Sequence, residues 1–191
     1  MNTEARSKFL PHIIITGFVV HLIGGLAGAF AVNNSLAQIV FWQVATMCMI
    51  SACVLMGAYM AEKGWPLASG GFVLLGISNG NFYSSLVVNR LEPGVMATGI
   101  ILLLPAFIFI GLSNYFPVWL KWLSISVCIP FFYLYIRFLT GVFVPNEFLQ
   151  KAAFQYEEII AVLWSIYIWK DLKKNNPKTN KRSPRKIHVR E

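Results

Sequence analysis

Residues 150–170 read QKAAFQYEEIIAVLWSIYIWK. The stretch is long and apolar enough to enter a bilayer as a helix, yet Glu157 and Glu158 stand near its middle. Ionisable groups at membrane depth are expensive, and they face a protein interior, a water-filled cavity or a partner charge. One face of such a helix carries Lys151, Gln155, Glu158, Val162 and Ser165, at spacings of three and four. That face is polar in its outer half and suits the wall of a cavity. Glu157 points about 100° away, towards the side of Phe154, Ala161 and Trp164. The bland alternative is a helix that begins late, with residues 151–158 forming a wet, amphipathic outer turn.

The rest of the chain supplies the membrane context. Of 191 residues, 57% are hydrophobic and 13% charged, against about 25% charged in soluble domains. Several apolar runs of about 20 residues follow one another. The composition therefore predicts an all-α, polytopic integral membrane protein, a compact bundle of about six transmembrane helices. The expected spans are 13–32, 39–60, 65–88, 95–112, 118–139 and the opening stretch. They form one transmembrane domain over 1–170, followed by a basic, disordered tail over 171–191. The polar start, MNTEARSKFLPH, does not read as a cleaved signal peptide, so the first span is expected to be retained.

Loop charge sets an orientation. With the N-terminus and C-terminus both cytoplasmic, that side receives Arg6, Lys8, Lys63, Lys121 and nine basic residues of 170–191, and the other side only Arg90, Arg137 and Lys151. Trp65, Trp119, Trp122 and Trp169 then fall at the cytoplasmic interface, where indoles prefer to sit. These features fit a bacterial inner membrane. The formal charge of +8 is concentrated in the tail, which predicts attraction to anionic lipid and argues against nucleic acid as a partner.

Three spans carry polar groups in their middle. His21 lies in the first, Ser78, Asn79 and Asn81 in the third, and Glu157 and Glu158 in the sixth. By helical rise, His21 and Glu158 are each roughly 16 Å from the cytoplasmic interface and Asn79 roughly 21 Å. One layer near the midplane is expected to hold all of them. A substrate-binding site is therefore expected from Glu158, Asn79, Asn81, His21, Glu157 and Gln155. A buried, hydrogen-bonded interior histidine is the ordinary reading of His21.

The third span concentrates Gly70, Gly71, Gly76, Ser78, Asn79, Gly80 and Asn81. Two readings stand: a broken helix lining a cavity, or close packing through the glycines with Asn79 making one interhelical hydrogen bond. Pro105 and Pro130 are expected to kink the fourth and fifth spans. Gly24 and Gly28 give the first span a small-residue face that could meet a membrane protein partner. An interhelical ion pair between Arg137 and a glutamate would be strained by a roughly 12 Å offset in depth.

No nucleotide loop, zinc motif or nucleophile elbow occurs, and Cys48, Cys53 and Cys128 lie in apolar runs without ligand spacing. No cofactor, no metal and no catalytic residue can be named. In size and topology alone the chain resembles the substrate-binding components of vitamin transporters, a likeness that carries over no motif or residue. The leading expectation is a small-solute transporter, channel or substrate-binding membrane subunit taking a small polar or cationic solute. One alternative is an intramembrane enzyme acting on a lipid or isoprenoid, with a glutamate as acid and His21 as base. The other is a non-catalytic accessory or immunity-type protein of a membrane complex.

Overall fold

A computed structural model describes residues 3–33, 35–87, 93–143 and 148–174. Arg90 and the tail over 175–191, both used in the sequence argument, lie outside the described residues. Among the described residues there is no strand. The helices are α1 (Thr3–Phe30), α2 (Leu36–Glu62), α3 (Pro66–Val87), α4 (Pro93–Leu112), α5 (Val118–Ser126), α6 (Cys128–Leu139) and α7 (Phe148–Lys174).

Among the described residues, four stretches are long and apolar enough to cross a membrane: Phe9–Phe30, Leu36–Glu62, Gly94–Leu112 and Val118–Leu139. Their outward faces are rich in large apolar side chains, with Phe30 at 88% and Ile129 at 72% exposure. Apolar surface that extensive requires a lipid or protein covering. The protein is a helical, multi-pass membrane bundle. The expectation of six apolar spans is met only by these four. α3 and α7 are long enough but more polar, and they carry their polar groups on inward faces: Ser78, Asn79, Glu157, Glu158 and Ser165 are all buried.

Sequential helices are neighbours. α2 packs on α1 and α3, α3 on α4, and α4 on α5 and α6, while α7 closes the bundle against α1, α5 and α6. α1 begins ten residues before the expected span and runs through Pro11. α2 starts at a serine cap, where Ser35 Oγ accepts from the Gln38 N–H at 3.1 Å. The same Gln38 donates its side-chain amide to the Gly28 carbonyl at 3.0 Å, tying the start of α2 to the end of α1. The α2–α3 turn depends on Gly64 at φ 78°, a left-handed conformation that side chains resist.

The fifth apolar stretch is not one helix. Pro130 has no N–H to give the Ser126 carbonyl, and the helix is interrupted within that turn, at Val127. There the Val127 N–H reaches the Ser124 carbonyl at 3.3 Å, a tighter i→i−3 bond. Pro105, by contrast, sits inside an unbroken α4. The last helix also outruns expectation, continuing through Asp171 to Lys174.

Trp164 of α7 is the centre of the core and is fully buried. Its ring meets Phe18 of α1, Phe72 of α3, Phe107 of α4 and Phe116 at centroid distances of 5.0–6.3 Å. Its indole N–H donates to Ser124 Oγ of α5 at 3.0 Å, which satisfies the one polar atom it buries. α7 is therefore held from several sides at once. That fixes the rotation of the helix and, two turns away, the direction of its glutamates.

Candidate functional site

A cavity of about 80 Å³ lies between α1, α2, α3 and α7. α1 contributes His21, Gly25 and Ala29, and α2 contributes Trp42, Ala45 and Thr46. Asn79 and Phe82 come from α3 and Met96 from α4. The α7 wall is Gln150, Lys151, Phe154, Gln155 and Glu158. The volume suits several water molecules or a solute of a few heavy atoms.

Glu158 is the acidic group of the lining, at 4% exposure. Gln155, one turn earlier on α7, lies in the same wall. Glu158 Oε1 lies 4.0 Å from His21 Nε2. The other oxygen, Oε2, is buried and has no hydrogen-bond partner, and neither has Gln155 Oε1. Buried polar atoms in native proteins are nearly always paired, so two orphaned acceptors on one wall require an explanation.

The carboxylate has room because α1 has no side chain opposite it. A Cβ built on Gly25 would overlap Glu158 Oε1, Cδ and Oε2. Gly24 and Gly28 serve a different contact. A Cβ on Gly24 would come within 3.0 Å of Ala45 Cβ and 3.2 Å of the Phe41 carbonyl, and one on Gly28 would overlap the Trp42 indole. The small-residue face expected for another membrane protein is thus filled by α2 of the same chain.

His21 is oriented by α2. Its Nδ1 stands 3.0 Å from the Ala45 carbonyl. A carbonyl only accepts, so Nδ1 carries the proton and the lone pair of the neutral ring is on Nε2, the atom facing Glu158. The imidazole is both a satisfied interior histidine and a cavity wall.

The two glutamates have different surroundings. Glu157, at 1% exposure, accepts a long hydrogen bond of 3.5 Å from Asn79 Nδ2 and does not line the cavity. The same Asn79 amide donates to the Leu75 carbonyl at 3.0 Å. Asn79 therefore touches Glu157 while its side chain also borders the space that Glu158 faces. Both glutamates are buried, which removes the wet outer turn as a reading of residues 151–158.

His21, Asn79, Gln155 and Glu158 come together as expected residues of one cavity wall, and Glu157 lies behind it. Asn81 is half-buried and off the wall. α3 is continuous through Asn79 and Gly80, so the broken-helix reading fails locally. The glycine-packing reading holds at Gly71, where a Cβ would sit 2.7 Å from Ile110 Cγ1 and 2.9 Å from the Ala106 carbonyl, and more loosely at Gly76, 3.4 Å from Cys53 Cβ of α2. Gly70 and Gly80 face open space, and Asn79 makes its interhelical bond to Glu157. Arg137 donates to the Val142 carbonyl at 2.9 Å, at the exposed end of α6.

Sequence reasoning missed Gly25, Trp42, Thr46, Phe82 and Phe154. Gly25 was masked by its neighbours in a common GxxxG spacing, and the aromatic residues looked like lipid-facing or core positions. At the rim, Lys151 Nζ donates to Asn33 Oδ1 at 2.7 Å. Among the described residues no group of three or more His, Cys, Asp or Glu is placed to hold a metal ion. Comparison with known families, curated proteins and solved structures returns no match for the chain.

Proposed function

We propose that the chain is a small-solute transporter, channel or substrate-binding membrane subunit, and that the cavity between α1, α2, α3 and α7 is its solute site. The observation that carries this reading is Glu158, a buried carboxylate in the lining of that cavity, one oxygen of which has no hydrogen-bond partner. An unpaired buried acceptor costs about 1–3 kcal/mol, more when it is charged. A bound solute that donates to it recovers this cost. Asn79, Gln150, Gln155 and the lone pair of His21 Nε2 supply further polar contacts.

In this proposal α3 and α7 also cross the membrane, giving six spans with both termini on the cytoplasmic side of a bacterial inner membrane. The thirteen-to-three partition of Lys and Arg supports that topology. The inward-turned polar groups of α3 and α7 are compatible with it, since lipid meets their apolar sides. The basic residues of the tail would rest on anionic headgroups.

The test is a thermal-stability screen of small solutes on the full chain in lipid nanodiscs, run in parallel on Glu158→Gln. A ligand at 100 times its Kd stabilises the folded state by about 2.7 kcal/mol. The expected result is solutes that raise the unfolding temperature of the wild type and leave the equally monodisperse variant unmoved. Undiminished responses in Glu158→Gln would remove the proposal.

A further inference from the structure

We infer that the solute of this cavity is a small organic ammonium ion that retains at least one N–H. The inference rests on the cavity being a solute site, and it names the chemistry of what binds there.

The orphaned atoms set the polarity of the ligand. Both Glu158 Oε2 and Gln155 Oε1 are acceptors without a partner, so the group that completes them is a hydrogen-bond donor. An ammonium group does this, and it also supplies the positive charge that a carboxylate in a partly apolar cavity lacks. The basic groups nearest to hand inside the protein are poor substitutes. His21 Nε2 is 4.0 Å from Oε1, beyond hydrogen-bonding distance, and its Nδ1–H already donates to the Ala45 carbonyl. Lys151 is held by Asn33 and stands seven residues from Glu158, roughly 10 Å of helical rise.

The remaining walls suit the same ion. Trp42, Phe82 and Phe154 line the cavity with aromatic rings. Phe82 and Phe154 meet edge to face, with centroids 5.0 Å apart at 86°. Aromatic faces attract cations, Trp most strongly, and they shelter the alkyl part of an ammonium ion. Competing classes fit less well. An anion would bring its charge to Glu158 and to the Gln155 oxygen. A bare alkali or divalent cation asks for about six oxygen ligands, and three aromatic rings take up wall that those oxygens would need. The volume of about 80 Å³ suits an ion of a few heavy atoms.

The experiment uses the full chain in lipid nanodiscs and ¹⁴C-methylammonium as probe, with saturable binding measured on wild type and Glu158→Gln. Competitors of one size and different charge are propylammonium, 1-propanol and propionate, alongside sodium chloride and tetramethylammonium. The expected result is saturable methylammonium binding that Glu158→Gln weakens at least tenfold. Propylammonium should compete at least tenfold better than 1-propanol, propionate, sodium or tetramethylammonium. Because the competition series is read on the wild type, a misfolded variant would not decide the outcome. Glu158-dependent binding of ²²Na⁺ or ¹⁴C-propionate without ammonium binding would overturn the ammonium assignment and leave the solute site standing. Competition by tetramethylammonium as strong as by propylammonium would overturn the N–H requirement. Absence of saturable binding for every probe would overturn both the assignment and the solute site.

Discussion

The carboxylate of Glu158 occupies the space that a side chain at residue 25 would fill, so α1 makes room for α7's charge by having glycine there. Gly25→Ala should therefore push the carboxylate off its position. We expect a destabilisation of about 1–3 kcal/mol, as for other overpacked interior positions, and loss of the solute response. Shortening the acid should relieve the clash. Gly25→Ala with Glu158→Asp should be more stable than the sum of the two single changes, by at least about 0.5 kcal/mol in a double-mutant cycle. Strict additivity in chemical denaturation would mean that the two positions do not compete for the same space.

The two glutamates should separate cleanly by assay. Glu157→Gln keeps the shape of the side chain behind the cavity wall and should leave the solute-induced stabilisation within twofold of wild type. Glu158→Gln should abolish it. Asn79→Leu, which removes the amide that Glu157 accepts from, should cost about 1–3 kcal/mol for the acceptor left unpaired. Adding Glu157→Leu should recover part of that loss, because replacing both partners with apolar groups is far cheaper than orphaning one. The check is the unfolding free energy of wild type, Asn79→Leu and the double variant in mixed detergent micelles.

Trp164 anchors the helix that carries the site. Trp164→Ala should destabilise by about 3–5 kcal/mol, enough to lower the yield of monodisperse protein. Trp164→Phe retains much of the ring packing but loses the bond to Ser124 Oγ, a loss of about 1 kcal/mol. Ser124→Ala should cost little further in the Trp164→Phe background, since the shared hydrogen bond is already gone. Equal effects of Ser124→Ala in both backgrounds would show that the bond contributes nothing.

Neighbouring glycines of α3 give a sharper contrast. Gly71→Ala places a methyl group against the Ala106 carbonyl and the backbone of Ile110, and should cost about 1–3 kcal/mol by forcing α3 and α4 apart. Gly70→Ala meets nothing within 4 Å and should be neutral or stabilising by up to about 1 kcal/mol through helix propensity. Thermal unfolding of the two variants side by side is sufficient to decide it.

The apolar runs made the helices legible, because a span needs only length and composition, and those are printed in the sequence. A shared level along the bundle was legible for a related reason: constant helical rise placed His21, Asn79 and Glu158 in one layer, and all three border one cavity. Direction around the helix axis was harder. The spacing of Lys151, Gln155 and Glu158 gave it for α7, where three polar residues mark one face. It could not give it for α1, where Gly24, Gly25 and Gly28 look alike and only the packing partner distinguishes them. The interruption at Val127 was half legible. Pro130 announced a weakened turn, but which residue leaves the helix depends on contacts such as the 2.6 Å bond between Ser126 Oγ and Tyr156 Oη. Trp164 was invisible as an anchor, since a tryptophan in an apolar helix reads equally well as lipid-facing.

The central claim is that the wall formed by Gln155 and Glu158 borders a space that water-borne cations enter. It is tested most directly by cysteine modification at position 155, in a chain whose Cys48, Cys53 and Cys128 are replaced by alanine. Gln155→Cys would be reacted in nanodiscs with 2-aminoethyl and 2-sulfonatoethyl methanethiosulfonate, with rates corrected for reaction with free cysteine. The account predicts that the cationic reagent labels at least tenfold faster than the anionic one, and that Glu158→Gln reduces this preference. An unreactive thiol, or one labelled faster by the anion, would contradict it.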